Sequence, residues 1–324
     1  MATMTIAKAI NEGLRATLTN HPKALLIGED IGALGGVYRV TDGLKKEFGA
    51  LRVVDSPLAE SGIIGTAIGL ALRGYRPICE IQFDGFVFPG FNQITTQLAK
   101  LRTRSDGMLS APVVIRIPYG GGIGSVEHHS ESPEALFAHT AGLRIITPSN
   151  AQDAYWMIQQ AVTCEDPVIV FEPKRRYWLK GEVDTSATAV DPFSAQVLRR
   201  GTEATIVAYG PLVPVALAAA AAAEADGRSI EVIDLRSISP IDFDTVTESV
   251  TRTGRLIVAH EAPTFGGIGG EIAARISERA FLSLEAPVIR VGGFHMPYPV
   301  ARVEEHYLPD IDRILEALDR AFAY

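Results

Sequence analysis

Short apolar runs alternate with helix-period segments along almost the whole chain, and this alternation constrains the fold more than any single motif. Ile6, Ile10, Leu14 and Leu18 recur at helical spacing, and Ala24-Leu-Leu-Ile27 then reads as a buried strand ending in Gly28-Glu29-Asp30. The same reading gives a helix over 61–73 and a strand over Pro77–Phe83. It continues with a helix over 91–102, a strand over Pro112–Ile117, a helix from Ser132 to Ala138 and a strand over Arg144–Thr147. A helix over 151–163 and a strand over Pro167–Phe171 complete the first half. Strands separated by helices imply crossover connections and hence a largely parallel sheet. Residues 181–203 are polar, mixed and without helical period, and read as a linker.

The alternation then resumes. Strands are expected at Ala204–Tyr209, Ile230–Leu235, Arg255–Ala259 and Pro287–Val291, and helices at Pro214–Ala225, Phe243–Thr253, Gly270–Phe281 and Ile311–Phe322. The expected architecture is α/β: two three-layer domains with largely parallel sheets. They occupy residues 1–185 and 204–324 and are joined by a linker at 186–203.

With 324 residues, 47% of them hydrophobic, the chain can bury two cores of this kind. Its 30 basic and 38 acidic residues leave a net charge of −8, which argues against nucleic-acid binding. The two cysteines, Cys79 and Cys164, form no CxxC pair, and this usage suits a reducing compartment. The N-terminus has no signal-peptide pattern and no apolar stretch reaches membrane-spanning length, so a cytoplasmic protein is expected.

Glu60 stands in Asp55-Ser-Pro-Leu-Ala-Glu60, directly ahead of Gly62, Gly65 and Gly69 on an apolar helix. Glycines at this spacing let a second helix approach closely, placing the acid at a buried contact where its pKa rises into the range of proton transfer. The alternative is an exposed acid complementing a helix N-terminus, and the motif alone leaves both open. Gly120-Gly-Gly-Ile-Gly124 lacks the GK[ST] of a phosphate loop and reads as an irregular turn. His128-His129 are adjacent, a poor arrangement for one metal. One of them is a candidate acid/base or hydrogen-bond donor to a developing anion, although taken alone a surface loop histidine is the better reading. Gly266-Gly-Ile-Gly269-Gly-Glu271 lacks dinucleotide-binding spacing and reads as a turn that opens a helix. The preceding His260-Glu261 has no derivable role, and Arg175-Arg176 beside Lys174 reads as a solvated charge cluster.

Taken together, several segments resemble the β-subunit of the thiamine-diphosphate-dependent 2-oxoacid dehydrogenase component. They include Leu26-Ile-Gly-Glu-Asp30, Asp55-Ser-Pro-Leu-Ala-Glu60 and Ile78-Cys-Glu-Ile-Gln82-Phe-Asp-Gly-Phe86. His128-His-Ser-Glu-Ser-Pro-Glu-Ala135, Gly142-Leu-Arg-Ile-Ile-Thr-Pro148 and Phe171-Glu-Pro-Lys174 extend the likeness. The resemblance covers nearly the whole chain. It implies a pyrimidine-binding domain, a transketolase-type C-terminal domain, and oxidative decarboxylation of a 2-oxoacid with acyl transfer to lipoamide. Glu60 matches the family glutamate that hydrogen-bonds N1′ of the cofactor's aminopyrimidine, favouring the tautomer that removes the proton from C2 of the thiazolium.

Phe86 matches an aromatic ring set against that pyrimidine, and Leu58 and Gln82 match other cofactor-side positions. His129, rather than His128, matches the histidine that assists acyl transfer. Glu29 matches an acidic position in a polar tunnel between paired cofactors. Ala161, Val162, Cys164 and Asp166 match a monovalent-cation (K+) site built largely from backbone carbonyls.

No Gly-Asp-Gly occurs, the motif with which thiamine enzymes hold Mg2+ and the diphosphate. The resemblance therefore implies an α-subunit partner that supplies this half of the site, in a heterotetramer with cofactors at α–β interfaces. A lipoyl acyltransferase core is a further implied partner, docking on the C-terminal domain. His295 departs from the acidic or small residue common in relatives and clouds the details of that docking. The segments around His128, Phe171 and His306 look more like branched-chain members than pyruvate members. Pyruvate or acetoin, a non-catalytic scaffold, and a self-sufficient transketolase-like enzyme are the competing readings.

Overall fold

The computed structural model describes residues 1–324, which fall into two compact units: Met1–Tyr119 with Leu136–Pro192, and Gly120–Ala135 with Phe193–Tyr324. In the first unit the strands are β1 (Ala2–Thr5), β2 (Ala24–Gly28), β3 (Val53–Asp55), β4 (Arg76–Glu80), β5 (Val114–Tyr119), β6 (Arg144–Ile146), β7 (Val168–Pro173) and β8 (Lys180–Val183). The main sheet follows the order β6-β7-β5-β4-β2-β3 with every one of these pairs parallel. β2, β5 and β7 are buried along their whole length, which is why they read as largely apolar runs rather than alternating ones, interrupted by Arg116 in β5 and Glu172 in β7.

Helices α1 (Ile6–Asn20), α2 (Leu44–Phe48), α3 (Glu60–Leu72), α4 (Leu101–Arg104) and α6 (Ala151–Thr163) serve this unit, and α5 (Glu134–Ala138) lies where the chain returns to it. Thr5 caps α1 through Lys8 N–H, and Asn150 caps α6 through Asp153 N–H. α1 crosses α6 at Gly13, where an added Cβ would stand 2.6 Å from the Tyr155 carbonyl oxygen. No larger residue fits there.

The helix expected over 91–102 is broken. It passes through a π-turn at Gln93–Gln97 and a tight turn at Leu98–Lys100 before α4. Thr95 and Thr96 hydroxyls donate back to the Phe91 and Asn92 carbonyls, a competition that distorts helices.

The second unit contains β9 (Gln196–Arg199), β10 (Ala204–Ala208), β11 (Ile230–Asp234), β12 (Ser237–Ser239), β13 (Leu256–Pro263) and β14 (Ile289–Gly293). Its sheet runs β14-β13-β10-β11-β9, parallel except where β9 pairs antiparallel with β11. Its helices are α7 (Val213–Ala225), α8 (Phe243–Thr253), α9 (Ile268–Arg279), α10 (Glu304–Tyr307) and α11 (Ile311–Phe322). Ala216, Ala219, Ala220 and Ala223 of α7 join Ile314, Ala317, Leu318 and Ala321 of α11 in one core with Ile206 and Val232. Small side chains let α7 and α11 settle closely on the sheet.

The stretch 181–203, expected to be irregular, includes the end of β8, which pairs antiparallel with β1, and the edge strand β9. β9 is an outer strand with few buried side chains, so it carries no apolar signature.

Candidate active site

β2, β3 and β4 end level with one another, because Gly28 is in register with both Asp55 and Glu80. The chain leaving β2 is Glu29-Asp30, the chain leaving β3 runs through Leu58 into α3, and the chain leaving β4 carries Gln82 and Phe86. Three of the sequence-derived segments thus converge on the carboxyl-end edge of a parallel sheet, where α/β folds bind ligands. Glu60 is the first residue of α3 and is partly exposed. The turn Asp84–Gly90 lies against it, since a Cβ on Gly90 would stand 3.2 Å from the Glu60 carbonyl oxygen. Leu58 is 71% exposed, while Gln82 and Phe86 are half-buried.

One expectation is corrected here. The glycine face of α3 does not pack on another helix of this chain, for added Cβ atoms at Gly65 and Gly69 would meet nothing within 4 Å. Glu60 is therefore not at a buried intrachain contact. The Glu29 carboxyl at this edge is raised, by burial first and then by the charges of Asp30 and Glu60. Glu29 and Glu60 belong to one acidic edge.

Beneath the edge lies a buried ion network that the sequence reading missed. Arg116, 1% exposed, donates to Glu172 from Nε at 2.6 Å and to Glu80 from Nη1 at 2.6 Å. Two carboxylates hold the guanidinium charged against the cost of burial. Glu80 also accepts from Val37 N–H at 3.1 Å, and Tyr177 donates to Glu172 at 2.5 Å. Lys174 is not part of a solvated cluster. It is fully buried and donates to Asp84 at 2.6 Å, at the head of the turn that carries Phe86. The available signal was a charged residue inside each of three apolar strands: Glu80, Arg116 and Glu172.

In the second unit, His128 is exposed and His129 partly buried on the short turn Glu127–His129. The glycines before them are not a phosphate cradle. Gly121 N–H donates to Glu261 at 2.5 Å, and Gly122 and Gly124 N–H donate to the two oxygens of Glu304 at 2.8 and 2.9 Å. Gly120, Gly122 and Gly124 all take positive φ, as an irregular turn requires.

Gly266–Gly270 is a turn opening α9, as expected. Its space is filled by His260, whose Nε2 would lie 2.7 Å from a Cβ on Gly269. His260 is fully buried, with Nδ1 against the Ala262 carbonyl at 2.9 Å and Nε2 unpartnered. Burial pushes its pKa down to about 4, helped by the charge of Arg290. His295 is exposed and stacks on Phe265 with ring centroids 4.3 Å apart.

The turn matched to a monovalent-cation site is occupied by arginines. Arg76 Nη1 donates to the carbonyls of Val162 at 2.6 Å and Cys164 at 3.3 Å, and Asp166 pairs with Arg102 and Arg144. A cation there would stand beside three guanidinium groups, so these residues do not fit one. No group of three or more His, Cys, Asp or Glu side chains is placed to hold a metal ion. The β3-β2-β4 edge does fit part of an aminopyrimidine cofactor. Glu29 and Glu60, with Leu58 and Phe86 on the segments leaving the same strand ends, are residue types that would hold a flat base sharing a proton with an acid.

Family models place both halves of the chain among thiamine enzymes: the transketolase pyrimidine-binding domain matches residues 2–178 and the transketolase C-terminal domain residues 194–314. The solved "split gene transketolase, inactive beta4 tetramer" superimposes with a TM-score of 0.82 over 99% of this chain and 98% of that one. At 24% identity it speaks for the fold. A pyruvate dehydrogenase E1 component subunit beta of Leifsonia xyli subsp. xyli is 62% identical, with 98% of this chain and 95% of the relative covered. A 3-methyl-2-oxobutanoate dehydrogenase subunit beta of Mycobacterium tuberculosis is 51% identical, with 98% and 91% covered. The chain belongs to the E1 β-subunit family of thiamine-diphosphate-dependent 2-oxoacid dehydrogenases.

Proposed function

We propose that this chain is the catalytic β-subunit of a 2-oxoacid dehydrogenase component, working with an α-subunit in a heterotetramer and passing its acyl group to a lipoyl acyltransferase core. The observation that carries this reading is the convergence of Glu60, Glu29, Gln82 and Phe86 at the carboxyl end of β3-β2-β4. Glu60 would hold the aminopyrimidine by sharing the proton at N1′, and Leu58, Gln82 and Phe86 would bound the ring. Thiamine diphosphate, when bound, supplies the carbon nucleophile and electron sink for decarboxylation. Glu29, its carboxyl raised by burial and by the charges of Asp30 and Glu60, would be the acid to pass a proton along this edge. His129 would donate a proton or hydrogen bond as the acyl group leaves. The diphosphate and Mg2+ fall to the partner, since this chain has no Gly-Asp-Gly.

Two substrate readings stand. The segments around His128, Phe171 and His306 favour branched-chain 2-oxoacids, and the 62% identical relative favours pyruvate. The pocket contrast is one of methylenes, each worth about 1–3 kcal/mol. The test is decarboxylation by the co-expressed α- and β-subunits, comparing 2-oxoisovalerate with pyruvate. A preference of about tenfold or more assigns the branch, and no turnover of either, with the heterotetramer formed, overturns the catalytic reading in favour of a scaffold.

A further inference from the structure

The loop that carries His129 is held by carboxylates that come from far along the chain. Glu304, at the start of α10, is 3% exposed and accepts Gly122 N–H at 2.8 Å with one oxygen and Gly124 N–H at 2.9 Å with the other. Tyr298 seats this carboxylate, its hydroxyl donating to Glu304 at 2.6 Å and accepting from Gly122 N–H at 3.3 Å. The fit leaves no slack, for a Cβ on Gly121 would fall 1.7 Å from the Tyr298 hydroxyl oxygen. Glu261 takes Gly121 N–H at 2.5 Å and the Ser132 hydroxyl at 3.3 Å, and Tyr209 donates to Glu134 at 2.7 Å where the segment ends. The segment 120–135 is thereby tied at both ends, with His129 on the short turn between.

We propose that Glu304, seated by Tyr298, is a positioning residue for His129. Successive backbone N–H groups in positive-φ turns form a concave anion site, and here the anion is internal and buried. A carboxylate bridging two N–H groups two residues apart fixes the curl of the loop and so the direction in which the following turn leaves it. Hydrogen bonds to a buried charge are among the stronger ones in proteins, so they favour a single conformation of the loop. The role assigned to His129 rests on the function proposed above, whereas the anchoring itself does not.

Two variants test it, Glu304→Gln and Tyr298→Phe. A glutamine offers one acceptor and turns an NH2 toward the second N–H, so one bond is lost. Peptide-level amide exchange of the full chain should show segment 120–131 exchanging about tenfold or more faster in Glu304→Gln, with a smaller rise in Tyr298→Phe and strands β10 and β13 unchanged. In the heterotetramer, acyl transfer to a lipoyl domain should fall about tenfold while decarboxylation followed with an artificial electron acceptor stays within about twofold.

Unchanged exchange in both variants overturns the anchoring. So does faster exchange throughout the second unit, which marks general destabilisation. Faster loop exchange with acyl transfer intact overturns the positioning of His129. His129→Ala is the separate control: full acyl transfer in that variant sinks the role of His129 and leaves the anchoring to be judged by exchange alone.

Discussion

At the scale of single residues, the structure separates groups that touch the proposed chemistry from groups that only stabilise. Glu60 is partly exposed at a helix start. Glu60→Ala should therefore lower decarboxylation by about 100-fold or more while the variant still co-elutes with its α-subunit. Retained activity would end the proton-sharing role. His260 is the opposite case, buried, neutral and shut in by glycines. Its pKa is about 4 when folded against about 6.5 when unfolded. Between those values the unfolded state takes up a proton that the folded state refuses. The stability is complete above about pH 6.5 and falls as pH drops toward 4, by roughly 3 kcal/mol. In His260→Gln that part of the acid dependence should vanish, read as a shallower fall of unfolding free energy than in the parent protein over the same pH range. An unchanged slope would mean that His260 does not titrate as described.

Close approach governs at the scale of elements. α9 starts where Gly267 and Gly269 face the His260 ring, and the ring cannot retreat because it is enclosed. Gly269→Ala should lower stability by about 1–3 kcal/mol through overpacking, seen as a reduced Tm. A Tm equal to the parent's would show that the ring has room to move. The turn after α6 makes an electrostatic argument of the same kind. With Arg76 on the Val162 and Cys164 carbonyls and Asp166 between two arginines, exchanging K+ for Na+ at constant ionic strength should leave Tm unchanged. A rise specific to K+ would show that a cation displaces Arg76.

At the scale of the whole molecule, the chain matches the transketolase pyrimidine-binding domain and carries no Gly-Asp-Gly motif. Calorimetry of the isolated chain with thiamine diphosphate and Mg2+ should give no saturable heat, and saturable binding should appear once the α-subunit is present. Tight binding by the chain alone would overturn the partner requirement and favour a self-sufficient transketolase-like enzyme. No helix is long and apolar enough to cross a membrane. The outward glycine face of α3 offers the flat, small-residue surface that a subunit contact of the proposed heterotetramer would use.

The α/β architecture was legible because buried parallel strands are largely apolar along their length, and crossover helices must recur between them. Helices such as Ala151–Thr163, Phe243–Thr253 and Ile311–Phe322 lie where their periodicity puts them. Gln82 and Phe86 were singled out only through the resemblance, which also chose His129 over His128 and gave Glu60 its proposed role, since each alone is an ordinary residue near a turn. Edge strand β9 was not legible, because a strand with one partner and little burial needs no apolar pattern.

Tertiary structure alone decided three matters. It put Glu80, Arg116 and Glu172 together on adjacent strands. It filled the Gly120–Gly124 loop with carboxylates from Glu261 and Glu304. It turned the glycines of α3 outward. The physical reason is the same in each case: periodicity reports whether a position meets water or core, a property local to its own element. Which group a charge meets depends on residues 36 to 182 positions apart, and only the folded chain brings them together.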